Sequence, residues 1–125
     1  MYELPEYDWV KLERSAENVV SQCLRELPSS LQPAAKKIPV VFRKWHPDVD
    51  AGDLNAVELL GEYLSYEEDR VSEQNGPVVL YLGAIQLFCE EEGDAFEDEA
   101  RITLLHELGH HFGWDEGDIE SRGLG

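Results

Sequence analysis

The apolar residues of this chain change period along its length, and that change limits what it can fold into. Between Trp9 and Leu27 they recur at helical spacing, at Trp9, Leu12, Ala16, Val19, Val20, Cys23, Leu24 and Leu27. These positions make one face of a helix that Asp8 is placed to cap and Pro28-Ser29-Ser30 to end. In the middle of the chain the runs are strand-like. Ile38–Phe42 and Val78–Leu82 read as strands, with Pro39 putting the first at its own start or at a sheet edge. Leu59–Leu64 fits helix or strand, and Gly61 inside it and the β-prone Tyr63 favour the strand. His46–Asp53 reads as a loop, Asn75-Gly76-Pro77 as a turn and Gly83 as the end of a strand. Helical patterns return over Ile85–Glu91. They return again from Asp94, which with Glu97 resembles a capping box, to Phe112 just before Gly113. Shorter helical turns are expected over Leu31–Lys36 and Asp118–Arg122. Helix, then strands, then helices, without strict alternation, predicts an α+β fold.

At 125 residues one domain over 1–125 is the default, with a core of modest size. Acidic residues outnumber basic ones 27 to 10, a formal charge of −17. Such a surface repels nucleic-acid phosphates and anionic lipid, so neither nucleic acid nor membrane is an expected partner. No apolar run approaches the ~18 residues of a membrane span. The start, Met1-Tyr2-Glu3-Leu4-Pro5-Glu6, has neither the basic nor the apolar part of a secretory signal, so the expected location is the cytoplasm. Cys23 and Cys89 form no CxxC pair and read as small buried apolar residues.

The segment that carries chemistry is His106-Glu107-Leu108-Gly109-His110, an H-E-x-x-H inside the long final helix. Four residues advance a helix by ~6 Å and turn it by ~400°. Two imidazoles at that offset therefore leave the same face and can converge on one ion, and zinc suits imidazole nitrogen. Glu107 is then placed to take a proton from water activated at the metal. A third ligand must come from beyond the helix. Gly113 lets the chain turn back, and Glu116 follows three residues later, with Asp115 and Asp118 as rivals. Two histidines and one carboxylate leave a position open for water, the arrangement of a catalytic site. His111 projects ~100° from His110 and is not expected to be a ligand. His46 is expected in solvent, outside any site. Tyr63 and Tyr81 read as sheet or core residues, either of which would be an oxyanion donor if it faced the metal.

Three blocks, in order, give the chain a resemblance. Leu59-Leu60-Gly61-Glu62-Tyr63 matches an LLGxY segment. Pro77–Ile85 resembles a strand and turn that begins at proline and carries L-Y-x-x-x-I, here Leu80, Tyr81 and Ile85. Thr103–Gly113 matches T-x-x-H-E-x-x-H-H-F-G. The chain thus resembles the small bacterial minimal zincin-like proteins. That resemblance implies a compact fold with the N-terminal helix and the H-E-x-x-H helix packed on a small mixed sheet. It implies zinc at His106 and His110, with Glu107 as catalytic base. An acid follows ten residues after the first histidine in that family, and here that position is Glu116.

Two functions are open to such a chain. One is a zinc-dependent metallopeptidase acting on a peptide or protein substrate laid along the sheet edge. The other is a zinc-binding module with little or no catalysis, whose acidic surface engages a basic protein partner.

Overall fold

A computed structural model of the protein describes residues 4–63 and 77–111. The first helix, α1 (Trp9–Glu26), begins where expected, with the Asp8 carboxylate accepting from the Lys11 N–H at 3.1 Å. It ends as Leu27 turns extended before Pro28. A short α2 (Gln32–Lys36) follows, then β1 (Val40–Arg43), which starts only after Pro39. The expected loop at His46–Asp53 instead holds one helical turn, α3 (Pro47–Asp50). Its proline sits in the first turn, where a missing N–H costs nothing, and the His46 side chain caps it. A 3₁₀ segment (Leu54–Glu58) leads into β2 (Gly61–Tyr63).

β3 (Val78–Tyr81) runs directly into α4 (Leu82–Glu92). Gly83, expected to end the strand, lies in the first turn of that helix and donates its N–H to the Lys44 carbonyl at 2.9 Å. A Cβ there would lie 2.7 Å from both that carbonyl and the Trp45 ring. The glycine therefore serves close approach rather than a turn. Gly93, at φ 78°, closes α4 in the left-handed region. The last helix, α5 (Phe96–His111), begins at Phe96, later than the Asp94 capping box implied.

The sheet is mixed, in the order β1-β3-β2, with β1 parallel and β2 antiparallel to the central β3. Alternation along β3 sends Val78 and Leu80 to one face and Val79 and Tyr81 to the other. The first face meets the main core. There Leu12, Ala16 and Val19 of α1 pack with Ala100, Leu104 and Leu108 of α5 and with Ile85 of α4. Those α5 residues recur every fourth position, the stripe of a helix buried on one side. Ile102 on the same helix is exposed, whereas Leu104 and Leu105 are buried. The second face carries a smaller cluster of Val79, Tyr81 and Ala84, edged by Val41, Trp45 and Leu60. Cys23 and Cys89 are both free thiols and buried, as expected. Among the described residues no helix is long and apolar enough to cross a membrane. The architecture is α+β, with α1 and α5 packed on a small mixed sheet.

Candidate metal centre

α5 presents the motif on the turns that follow its buried stripe. Leu104, Leu105 and Leu108 hold the helix against the core, while His106 and Glu107 are half-buried and His110 is exposed. Gly109 is buried. The strand beside this helix is β2, and the closeness of the two depends on Gly61. A Cβ at that position would lie 2.7 Å from the Thr103 methyl and 3.1 Å from the Val79 carbonyl. Thr103 is one helical turn before Glu107, so β2 runs close to the motif.

Burial is the main reason that the Glu107 carboxyl titrates above the usual carboxylate range. His110 and His106 oppose the shift, and the Glu62 carboxylate adds to it. Both imidazoles and the β2 carboxylate are thus near enough to act on this one group. Glu99, two turns before His106, is raised as well, first by burial and then by Asp94, with His106 opposing.

Glu62 belongs to a cluster that the sequence did not reveal. The Tyr81 hydroxyl donates to its Oε2 at 2.6 Å, and His46 Nε2 lies 3.5 Å from the same oxygen. His46 Nδ1 accepts from the Asp48 N–H at 3.0 Å. A nitrogen that accepts carries no proton, which leaves the proton of the neutral ring on Nε2, facing Glu62. The His46 and Tyr81 rings meet edge to face at 5.5 Å. His46 is therefore not a solvent residue; only 17% of its side chain is exposed. The signal for this was His46-Pro47-Asp48, a capping residue followed by proline at the first helical position. The Tyr81 hydroxyl is committed to Glu62, on the sheet face away from the main core, and lowering of the local dielectric and the neighbouring carboxylate both raise its pKa.

Of the residues expected to hold metal, His106 and His110 lie on successive turns of α5. Glu116 and its rivals Asp115 and Asp118 lie outside the described residues. Among the described residues no three His, Cys, Asp or Glu side chains are grouped to hold an ion. The two imidazoles have the donor chemistry for zinc. Among the described residues, a cleft of about 280 Å³ lies between α1, Gln86 of α4 and the start of α5, and one of about 430 Å³ between the 3₁₀ segment and α4; His106, Glu107 and His110 line neither.

A search of curated proteins gives no match. A family model described as zincin-like metallopeptidase matches residues 35–124. That span takes in the whole sheet, α4 and the motif helix, and the chain belongs to the zincin-like metallopeptidase family.

Proposed function

We propose that this protein is a zinc-dependent peptidase in which Glu107 is the general base. Zincin-like proteins generally bind zinc. The reading assigns the ion to His106 and His110, with Glu116 as the third ligand and Asp115 or Asp118 as its alternatives. Bound there, zinc supplies a Lewis acid that acidifies water and polarises a carbonyl. The observation that supports this best is the setting of Glu107, half-buried between two histidines with its carboxyl held above the ordinary range. A base whose affinity for protons is raised accepts one more readily. The same carboxyl, once protonated, is placed to return that proton to the leaving amine. The Gly61–Thr103 contact holds β2 close to α5, so a peptide laid on that strand passes near Glu107.

The test is a pair of measurements on the purified protein. Metal analysis is expected to find about one zinc per chain, lost when His106 and His110 are both changed to Ala. Glu107→Gln is expected to retain the metal while cleavage of a peptide mixture falls by at least ~100-fold. Cleavage at the parental rate by Glu107→Gln removes the assigned base.

The charge of −17 favours a second reading, a zinc-binding module that engages a basic partner. Stoichiometric zinc with no cleavage across a broad peptide mixture would select it.

A further inference from the structure

Glu62 occupies a position that the reaction just described does not use. It is the middle residue of β2, the outer strand among the described residues. Its carboxylate is gripped from within the fold by the buried Tyr81 hydroxyl and by His46, itself pinned through its other ring nitrogen. About a third of the Glu62 side chain remains exposed. A glutamate normally loses substantial rotamer freedom when it engages a ligand. Here much of that freedom is already gone, so the charge is pre-positioned at the strand edge.

The ladder shows which way the edge faces. The Tyr81 N–H donates to the directly opposed Leu60 carbonyl at 2.9 Å, and the register continues as Gly61 opposite Leu80 and Glu62 opposite Val79. Hydrogen-bonded and non-hydrogen-bonded pairs alternate along an antiparallel ladder, so Gly61 turns its N–H and C=O away from β3. A peptide laid antiparallel on this side bonds to Gly61. Its next residue then faces Glu62 in a non-hydrogen-bonded pair, the closer kind, with Cα atoms about 4.5 Å apart. Side chains paired in this way touch, and opposite charges favour each other.

We infer that Glu62 is a specificity-determining residue that selects peptide substrates carrying lysine or arginine opposite it on β2. The inference rests on the peptidase reading for its catalytic consequence, but the recognition itself needs only the strand edge. The selected residue lies near the bond to be cut, because Gly61 packs on Thr103 one turn from Glu107.

The experiment sequences the cleavage sites that the zinc-loaded protein makes in a random peptide mixture, for the parent, Glu62→Gln and Glu62→Lys. The parent is expected to enrich Lys and Arg at one position by about two- to fivefold, the range of a cross-strand charge pair. Glu62→Gln, which keeps an acceptor for Tyr81, loses that enrichment, and Glu62→Lys shifts it to Asp and Glu. Cleavage without basic enrichment, or with enrichment unchanged in Glu62→Gln, overturns the inference and leaves the peptidase reading intact. Binding separates the two ideas from the other side. Zinc-loaded Glu107→Gln is titrated, by fluorescence anisotropy, into a labelled peptide with a central lysine and into its central-glutamate counterpart. Tighter binding of the lysine peptide, abolished by Glu62→Gln, supports the inference even if no peptide is ever cleaved. Equal binding, or none, overturns it.

Discussion

At position 83 a single methyl group would meet the Lys44 carbonyl and the Trp45 ring at 2.7 Å. The carbonyl is main chain and cannot swing aside, so Gly83→Ala forces β1 and α4 apart. We expect a loss of about 1–3 kcal/mol, measured as a lower urea midpoint with unchanged slope. A stability equal to the parent's would show that the junction has room the geometry denies. The cysteines make a second residue-scale prediction. Burial raises both thiols, Cys89 to about 11, where the acids Glu99, Asp94, Asp98 and Glu97 add to the shift. The reactive form of a thiol is the thiolate. For a group raised in this way it is scarce at every pH below the shifted value. In a thiol-reagent assay at neutral to mildly alkaline pH, native protein should react slowly at both positions, and urea should release both. Fast reaction of either native thiol contradicts the burial. The first of these features illustrates what local reading misses. Gly83 reads as the end of a strand because glycine commonly interrupts one, and its real neighbours, Lys44 and Trp45, lie far away in sequence.

At the scale of elements, α1 depends on its first residues as well as on its buried stripe. The Asp8 carboxylate satisfies the Lys11 N–H, one of the orphan donors at the helix start. Asp8→Ala should cost about 1 kcal/mol and Asp8→Asn much less, because Asn caps as well as Asp; paired urea melts measure the difference. α5 is held from below by Leu104, which is fully buried in the main core. Truncation to Ala leaves a cavity and should cost about 2–5 kcal/mol. Zinc affinity should weaken along with stability if the core is what aligns the two imidazoles, and isothermal titration of the variant checks that. The long helices were legible because each buries one stripe over several turns, so the pattern repeats enough to be read. The single turn α3 was not, because one turn is too short to show a period and its cap is a histidine rather than the usual Ser, Thr, Asp or Asn.

At the scale of the molecule, the charge of −17 works against compactness, since like charges brought together repel. Among the described residues the ion pair between lysine or arginine and an acid is Arg101 with Glu26, exposed at 3.3 Å and joining α5 to α1. A pair so placed contributes little. Raising the ionic strength from about 0.01 to 0.1 M shortens the Debye length from ~30 to ~10 Å, so the melting temperature should rise with sodium chloride. A fall would mean that attractive pairs outweigh the general repulsion.

The sequence by itself determined the α+β class, the two long helices, the strand-like segments and the spacing of His106, Glu107 and His110. Each of these depends on periodicity or on offsets within one helix, which are local properties of the chain. Only the tertiary structure decided that Glu62, Tyr81 and His46 meet. They come from β2, β3 and the cap of α3, and their contact depends on strand register and on which sheet face each residue takes. A one-residue slip of β2 would turn Glu62 to the opposite face and leave Tyr81 without its acceptor, though the composition and every local pattern would be unchanged.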